Sequence, residues 1–329
     1  MDCNPIVSVI IPTYNREYVI GETLDSVLNQ TYSNWECIVV DDGGDDKTDE
    51  LIEKYITKNN RFKYVKRPID LIKGVSSCRN YGVDISKGEF IIFLDSDDIL
   101  ASNALKNRIK YFKQYPDNDF LVFSTQFFDN NIFNKKDVFN IDPIIENREN
   151  YLSLFLKHQF PWQTMSPIWK KKYVENNKFR NDLHLLEDII FHIEILFNSD
   201  VKFKRIKEID NFYRIPNWGK NNTTESIDKM FESVSYLLKN YNCRIAQDKK
   251  LKDNFSRFVK IIYKIILQSE KVNQQKREML NFFVKYNYIT FKERLLFKVF
   301  SIVYRCKLNR IKNIGMFKAI NYLNKSLIQ

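Results

Sequence analysis

The first hundred residues alternate between short apolar runs and segments with helical spacing. Three runs rich in β-branched residues, "IVSVIIP" (6–12), "ECIVVDDGG" (36–44) and "EFIIFLD" (89–95), have the length and composition of buried strands. Between the first two, "GETLDSVLNQ" places Leu24 and Leu28 on one face of a helix. Because such strand–helix repetition needs crossover connections, it predicts an α/β domain with a mostly parallel sheet covered by helices on both faces.

Patterns farther along the chain predict a second set of elements. The expected strands are "FLVFSTQFF" (120–128), the start of "PWQTMSPIWKKKYV" (161–174) and short strands within 201–216; the expected helices are 146–158, the end of 161–174, 186–197 and most of the chain from Met230 onward. Residues 130–143 and 217–226 are polar and predict loops.

Composition narrows the class of protein. The chain has 329 residues, 44% of them hydrophobic, which is enough for a sizeable core. Five cysteines without a CxxC pair indicate reduced thiols and a cytoplasmic protein, and the three histidines lack the spacing of a structural zinc site. The acidic start and short first apolar run predict no secretory signal, and no run of about 18 apolar residues predicts a membrane span.

The most informative polar residues follow the predicted strands. "FIIFLDSDDIL" (90–100) carries a buried run into Asp95, Asp97 and Asp98. Ligands of open α/β sheets bind beyond the carboxyl ends of strands, where "PTYNR", "DDGGDD" and "DSDD" should lie together. Clustered carboxylates there predict a hard divalent cation, Mn²⁺ or Mg²⁺, on a diphosphate. The alternative is that Asp97 and Asp98 cap the following helix.

Four motifs, in order, resemble the family 2 glycosyltransferases, inverting enzymes of the GT-A fold. They are "VSVIIPTYNR", "SVLNQTYSNWECIVVDDGG", "GVSSCRNYGVDISKGEFIIFLDSDD" and "LLEDIIFHIEILF", and the resemblance covers residues 7 to about 215. It implies a Rossmann-like, mostly parallel mixed sheet followed by a helical C-terminal region.

The resemblance also implies roles for individual residues. Pro12, Thr13 and Tyr14 would line the nucleotide base, and Asp42 would accept a hydrogen bond from a uracil N–H. Arg79 would favour the diphosphate, with a surface ion pair as the alternative. Asp98 would bind the metal directly, Asp97 would contact the ribose or the metal, and Asp95 would begin the DxD signature. The full set of implied nucleotide-sugar-binding residues is Pro12, Thr13, Tyr14, Asn15, Arg16, Asp42, Arg79, Asp95, Ser96 and Asp97.

The last motif supplies the candidate base. Inversion needs a carboxylate to take the proton of the acceptor hydroxyl, and "EDIIF" offers Glu187 and Asp188. Adjacent helix residues point about 100° apart, so one of them should face the donor. The family pattern favours Asp188, whose pKa Glu187 would raise and a helix N-terminus would lower. Both acids could instead be ordinary charges at a helix start.

Two departures from the family pattern stand out. Gly44 follows Gly43 where relatives often have serine, and Pro216 stands where relatives often have a histidine after "YR". Arg214 or Lys220 is the candidate replacement for that histidine. The QxxRW motif of processive synthases is absent from the sequence, which favours transfer of a single sugar.

The C-terminal region carries the excess of positive charge. Residues 251–329 contain 17 Lys and Arg against 4 Asp and Glu, whereas the rest of the chain has 35 against 37. Apolar and basic residues alternate there at helical spacing, which predicts an amphipathic surface for anionic membranes. The alternatives are a helical bundle with a solvated basic face, or nucleic-acid binding, for which no recognisable fold accompanies the charge.

These observations predict a GT-A catalytic domain over 1–225, with a nucleotide-sugar half (1–118) and an acceptor half (119–225), and a basic helical region over 226–329. The expected activity is metal-dependent transfer of a single sugar from a UDP-sugar to a lipid-linked glycan. The expected location is the cytoplasm, including the inner face of the membrane as a peripheral protein. No nucleic-acid partner is expected. A nucleotidyltransferase would show a glycine-rich basic loop after the first strand, and a non-catalytic membrane module would not need the intact acids.

Overall fold

The computed structural model describes residues 4–129, 135–139, 147–215, 224–268 and 274–305. The strands are β1 (Val7–Thr13), β2 (Trp35–Asp41), β3 (Phe62–Lys66), β4 (Phe90–Phe93), β5 (Ile99–Leu100), β6 (Phe120–Phe128), β7 (Lys135–Phe139), β8 (Pro167–Lys170) and β9 (Phe203–Arg214). The helices are α1 (Ile20–Leu28), α2 (Thr48–Lys58), α3 (Val75–Ile85), α4 (Ala104–Gln114), α5 (Arg148–Leu156), α6 (Lys171–Asn176), α7 (Glu187–Phe197), α8 (Thr224–Gln247), α9 (Lys249–Gln268), α10 (Gln274–Lys285) and α11 (Phe291–Arg305).

The strands form one mixed sheet in the order β3-β2-β1-β4-β8-β6-β9-β5, with β7 paired to β6. Strands β3, β2, β1 and β4 are parallel, β8 runs antiparallel to both β4 and β6, and β9 is parallel to β6. Every residue of β1 and β2 is buried, as expected for central parallel strands covered on both faces. The predicted α/β class is therefore confirmed.

The chain divides into two compact units, one of residues 1–148 and 160–219 and the other of 149–159 and 220–329. The core of the first unit includes Val9, Val39 and Ile92 of the sheet together with Leu24 and Leu105 of the covering helices, all completely buried. Burying each such side chain contributes about 1.5–3 kcal/mol, so the core holds the strand ends in fixed register.

Helices build the second unit. The α9 helix packs against α8, α10 and α11, with Phe255 and Val259 buried. The segment from Glu149 also belongs to this unit: Lys250 donates to Asn150 over 2.5 Å, and the His158 ring stacks on Phe258 with centroids 4.7 Å apart. The described chain after Met230 is helical, as predicted, except at position 248 and in the turn at 286–290.

Three sequence-based assignments differ from the structure. The predicted polar loop at 130–143 contains β7, which pairs antiparallel with β6. The short strands predicted within 201–216 form the single twelve-residue strand β9. The short strand β5 was not predicted. Each depends on a distant partner strand, because β5 is ordered by β9 and β7 by β6, and local periodicity does not report such pairing. The predicted loop at 217–226 lies largely outside the described residues.

A buried ion pair fixes β9 against the rest of the first unit. Both side chains are fully buried, and Arg108 on α4 binds Asp210 through Nε (2.7 Å) and Nη2 (2.8 Å). Arg108 Nη1 also donates to the carbonyl of Met165 over 3.0 Å. The backbone of Asp210 in turn accepts a hydrogen bond from Ala101, next to β5. The pair therefore sets where the chain following the Asp98 region meets β9.

Replacing Asp210 with asparagine should destabilise the first unit by about 3–5 kcal/mol, because Arg108 would remain buried without its counter-charge. Urea unfolding followed by tryptophan fluorescence measures this, since the buried Trp35, Trp162 and Trp169 all lie in that unit. Asp182→Asn is the matched control. It removes the same charge from an exposed pair with Arg180 and should change stability by less than about 1 kcal/mol. Equal effects of the two substitutions would contradict the argument.

Candidate active site

The carboxyl ends of β1, β2 and β4 meet at one edge of the sheet. Thr13 at the end of β1 lies opposite Asp41 at the end of β2, and Ile10 lies opposite Phe93 of β4. The strand order reverses between β1 and β4, which is where open α/β sheets form a crevice for ligands. The three polar segments that follow these strands are consequently neighbours.

The first two segments are tied together by Asn15, which adopts a left-handed backbone conformation (φ 52°). Its Oδ1 accepts from the backbone N–H of Asp45, and its Nδ2 donates to the Asp45 carboxylate, both over 2.8 Å. A Cβ at Gly44 would lie 2.7 Å from Asn15 Oδ1. A serine at position 44 would therefore collide with this contact, which explains why glycine stands here.

Asp42 occupies a nearly closed position. It is 9% exposed, and its Oδ1 accepts from Arg67 Nε (2.5 Å) and from the backbone N–H of Gly74 (3.1 Å). Gly74 has φ 146°, a conformation that side chains rarely adopt, and it immediately precedes α3. Sequence analysis selected Asp42 but missed Arg67, since nothing in "FKYVKR" distinguishes the anchoring arginine from its neighbouring lysines.

The predicted base-lining residues lie beside it at the end of β1. Pro12 is buried, and the Thr13 hydroxyl is buried without a hydrogen-bond partner in the structure. Tyr14 is 46% exposed, and the Lys73 ammonium lies 4.2 Å from the centroid of its ring. This edge offers an aromatic face and a carboxylate whose Oδ2 is not used by Arg67 or Gly74, and such groups suit a planar base with an N–H donor.

The acid cluster, Asp95, Asp97 and Asp98, follows β4 and is held from β9. The backbone N–H of Arg214 donates to Asp98 Oδ1 (2.9 Å), and its Nε donates to the carbonyl of Asp97 (2.9 Å). Ser96 and Asp98 are buried. No helix begins within the cluster, since the next one, α4, starts at Ala104. The helix-capping alternative for these acids is therefore wrong.

The carboxylates of the acid cluster repel one another. Burial raises the pKa of Asp98 well above its usual range, and the negative charges of Asp97 and Asp95 raise it further. The pKa of Asp97 is raised by burial and by Asp95, and is opposed by Arg16, whose Nη1 lies 3.8 Å from Asp97 Oδ2. Asp95 forms a shorter ion pair, since Arg79 Nη2 lies 2.7 Å from its Oδ1. The cluster thus carries more negative charge than its neighbours neutralise.

Arg79 joins the acid cluster to the second pair of acids. This α3 side chain is buried (3% exposed), and its Nη2 lies 2.7 Å from Asp95 Oδ1 while its Nη1 lies 3.4 Å from Glu187 Oε1. Its charge also acts on Asp188. The alternative of a surface ion pair is excluded by this burial. A single internal cation is therefore shared between carboxylates from two segments of the chain, the end of β4 and the start of α7.

Glu187 and Asp188 form the first turn of α7 and point to different partners. Glu187 faces Arg79, whereas Asp188 accepts from the Thr164 hydroxyl at Oδ2 (3.2 Å) and from the backbone N–H of Ile189 at Oδ1 (2.8 Å). The helix begins after Leu186, which has a left-handed conformation (φ 61°). Thr164 was missed by sequence analysis because "QTMSP" carries no pattern that relates it to α7.

Burial governs the protonation of both acids. Burial and the adjacent Asp188 charge raise the pKa of Glu187 to about 7, against the effect of Arg79. Burial also raises the pKa of Asp188, although Arg79 and the hydrogen bonds from Ile189 and Thr164 lower it. The sequence-based argument weighed the effects of Glu187 and of the helix N-terminus on the pKa of Asp188. It omitted desolvation, which is the largest effect.

Tyr213 on β9 is influenced by the charges of both acidic groups. Burial raises the pKa of its phenol well above the usual value, and the charges of Asp98, Asp95, Asp97 and Asp188 raise it further. The phenol is therefore in the field of both the acid cluster and the α7 acids. Of the two candidates for the missing histidine, Arg214 lies at the acid cluster, and Lys220 is outside the described residues.

A family model described as "Glycosyl transferase family 2" matches residues 8–175, a span that runs from β1 into α6 and contains the acid cluster. The chain belongs to glycosyl transferase family 2. It is therefore a glycosyltransferase, and the resemblance drawn from the four motifs is confirmed.

Two relatives indicate the range of this family. Poly(ribitol-phosphate) beta-N-acetylglucosaminyltransferase TarP of Staphylococcus aureus is 32% identical over 288 residues, which is 83% of this chain and 76% of TarP. UDP-Glc:alpha-D-GlcNAc-diphosphoundecaprenol beta-1,3-glucosyltransferase WfgD of Escherichia coli is 39% identical over 104 residues, 32% of this chain and 40% of WfgD. The relatives thus include enzymes of cell-wall and polysaccharide synthesis.

Solved structures support the fold. TarS 1–349 of S. aureus in complex with UDP-GlcNAc superposes with a TM-score of 0.62 at 18% identity, covering 85% of this chain and 81% of that one. Mannosyltransferase PcManGT of Pyrobaculum calidifontis, in complex with GDP-Man and Mn²⁺, gives 0.52 at 14% identity, with 92% and 86% covered. The mixed sheet and its helices are those of a GT-A fold.

The electrostatics of the α7 acids generate a stability prediction. Because folding raises the pKa of Glu187 above its ordinary value of 4.5, this group lowers stability as pH rises through about 7. Glu187→Gln should therefore stabilise the first unit by about 2 kcal/mol at about pH 8, with the gain vanishing near about pH 4.5. Urea unfolding monitored by tryptophan fluorescence across this pH range is the measurement.

Glu175→Gln makes the same change on the exposed surface of α6 and serves as the control. Its effect should stay within about 0.5 kcal/mol at each pH. A Glu187→Gln variant whose stability runs parallel to that of the wild type at every pH would show that Glu187 is already ionised without cost.

Proposed function

We propose that the chain transfers a single sugar from a UDP-sugar to a glycan hydroxyl, with inversion at the anomeric carbon and with a divalent cation on the diphosphate. The observation that carries this proposal is that the buried Arg79 binds a carboxylate of the acid cluster and one of the α7 acids, which brings the two groups together. An inverting transfer needs a cation that compensates the charge of the departing diphosphate and a carboxylate that takes a proton. The acid cluster would hold the cation, and an α7 acid would take the proton.

The nucleotide belongs at the β1–β2 edge in this proposal. Tyr14 and the buried Pro12 and Thr13 line the base, and Asp42 accepts a uracil N–H with the oxygen not used by Arg67. The name of WfgD includes UDP, and TarS is solved in complex with UDP-GlcNAc. UDP-GlcNAc is therefore the first donor to test.

The acid cluster fits a hard divalent cation. Carboxylate oxygens are the preferred ligands, and the raised pKa of Asp98 records negative charge that a cation would offset. Within the described ranges, no three His, Cys, Asp or Glu side chains are arranged to hold a metal by themselves. We therefore assign Asp98 and Asp97 as the protein ligands, with Asp95 held by Arg79, in keeping with the few carboxylates that Mg²⁺ usually takes besides substrate phosphates. When bound, the cation stabilises charge that develops on the leaving diphosphate.

Asp188 is the proposed base. Thr164 and the Ile189 N–H hold its carboxylate in one orientation, while Glu187 is occupied by Arg79. As the acceptor oxygen bonds to the anomeric carbon and the bond to the diphosphate breaks, the hydroxyl proton passes to an Asp188 oxygen. Burial strengthens the base, because it raises the pKa of Asp188 and a base works best with a pKa closer to the working pH.

The proposed acceptor is a glycan on a lipid carrier, as in lipopolysaccharide or capsule synthesis. WfgD is named for a diphosphoundecaprenol-linked acceptor. The basic C-terminal region would bring the enzyme to an anionic membrane, where such acceptors are found. Among the described helices, none is both long and apolar enough to cross a bilayer. Association would therefore be peripheral.

Asp188→Asn should reduce transfer from UDP-sugar by about 10²–10⁴-fold, because the acceptor proton loses its base, while UDP binding stays near that of the wild type. Single-turnover transfer to a glycan acceptor and calorimetric titration with UDP measure the two quantities. In the wild type, kcat/KM should fall on the acidic side of its pH profile with an apparent pKa above the ordinary range of aspartate, because burial raises the pKa of Asp188. The control is Glu187→Gln, which changes the adjacent acid and leaves Asp188 in place. Wild-type turnover of Asp188→Asn would contradict the assignment.

Asp98→Asn keeps an oxygen for the Arg214 N–H but removes the charge proposed to hold the cation. Hydrolysis of the UDP-sugar should require Mn²⁺ or Mg²⁺ in the wild type and should fall by about 10²-fold or more in this variant. Asp84→Asn, on the exposed face of α3, is the charge-matched control and should leave hydrolysis unchanged. Full wild-type hydrolysis in the presence of a chelator would contradict metal dependence.

A further inference from the structure

The last described helix, α11, has a well-defined start and inner face. Thr290 Oγ1 accepts from the Glu293 N–H (3.2 Å), and the Glu293 carboxylate accepts from both the backbone N–H and the hydroxyl of Thr290 (2.8 Å each), a capping box. The same carboxylate lies 2.6 Å from Lys260 Nζ on α9. Position 293 therefore marks the side of α11 that faces α9.

The opposite side of α11 exposes a continuous apolar stripe. Phe291 is 77% exposed, Leu295 58%, Val299 47% and Ile302 59%. At about 100° per residue, these four positions fall within an arc of about 80° centred on the side away from Glu293. We call these four residues the α11 stripe.

Lysines border the stripe on both sides. Lys298 and Lys292 are exposed, and helical geometry places one just outside each edge of the arc. The acidic residue of this helix, Glu293, is turned to Lys260 and does not offset them. The outward face of α11 therefore combines four large apolar side chains with an uncompensated positive border.

An ordinary surface helix turns polar residues outward, and single exposed apolar residues are common on any protein. Four in one arc with flanking lysines is the pattern of a helix that lies in a membrane interface, where the apolar side chains enter the acyl boundary and the lysine ammonium groups reach anionic headgroups. A second copy of the chain is a poorer match, because symmetric pairing of this face would bring its lysines together.

We propose that the α11 stripe is the surface by which this protein docks on an anionic lipid membrane, with Lys292 and Lys298 contacting the headgroups. The inference rests on the membrane association in the proposed function and is independent of the transfer chemistry. The net positive charge of the C-terminal region predicts attraction to anionic membranes but does not say which surface makes the contact. The proposal assigns that contact to one face of α11.

The test is flotation of the full-length protein with phosphatidylcholine vesicles, with and without phosphatidylglycerol. Leu295→Gln/Ile302→Gln should weaken partitioning onto the phosphatidylglycerol vesicles by at least about thirtyfold, since it removes two of the inserted apolar side chains while glutamine preserves the helix. Lys292→Gln/Lys298→Gln should weaken it by about thirtyfold, which corresponds to about 1 kcal/mol for each lysine. The wild type should bind pure phosphatidylcholine far more weakly.

Matched controls make the result specific to α11. Ile69→Gln changes the most exposed isoleucine of the first unit (99% exposed), and Lys239→Gln/Lys249→Gln removes two exposed lysines from α8 and α9. Both should float as the wild type does. Metal-dependent UDP-sugar hydrolysis without vesicles should be unchanged in all variants, which confirms that each is folded.

Unchanged flotation of the Leu295→Gln/Ile302→Gln variant would overturn the proposal. If sedimentation then showed that the same variant converts an oligomer to a monomer, the stripe would be a contact between copies of the chain. If the variant stayed monomeric and bound vesicles normally, the stripe would be covered by the chain itself. An equal loss of flotation in the Lys239→Gln/Lys249→Gln control would show that overall charge, and not the α11 stripe, governs binding. That result would also overturn the proposal. Wild-type flotation without any UDP-sugar hydrolysis would instead refute the proposed chemistry and leave the docking surface standing.

Discussion

One buried guanidinium stabilises the acidic edge of the sheet in this protein. Carboxylates from the end of β4 and the start of α7 are brought out of bulk water, and without a cation between them their desolvation and mutual repulsion would oppose folding. Arg79 supplies that cation from α3, bound to Asp95 and to Glu187. Its planar fork suits this task, because it offers several donors in fixed directions to partners on two sides.

The compensation is incomplete. Burial raises the pKa values of Asp97, Asp98, Glu187 and Asp188, and neighbouring carboxylates raise them further against the opposing charges of nearby arginines. Such a site is costly to the fold and suited to a cationic ligand and to proton transfer. The proposed cation would bind the acid cluster, and the proposed base is one of the α7 acids. Both roles therefore depend on the same excess of buried negative charge.

The rest of the first unit keeps these charges in place. Asp98 is held by the backbone of Arg214, and β9, which carries Arg214, is anchored by the buried pair of Arg108 and Asp210. The second unit presents a different physical problem, an exposed apolar stripe on α11 bordered by lysines. If that stripe rests on lipid, as proposed, a glycan on a lipid carrier would be met by an enzyme already at the surface that displays it.

Much of this organisation is encoded locally. The short β-branched runs and the helical spacing between them predicted β1, β2 and β4, because burial leaves its period in the sequence, and "DSDD" at the end of a strand predicted an unbalanced negative site. Only the tertiary structure determined which charges meet. Arg79 reaches Glu187 across 108 positions, and Arg214 reaches Asp98 across 116. Strand pairing likewise decided that 203–214 is one strand and that Lys135–Phe139 joins the sheet. Periodicity records whether a residue is buried, but the identity of its partner depends on how distant strands and helices are registered in space.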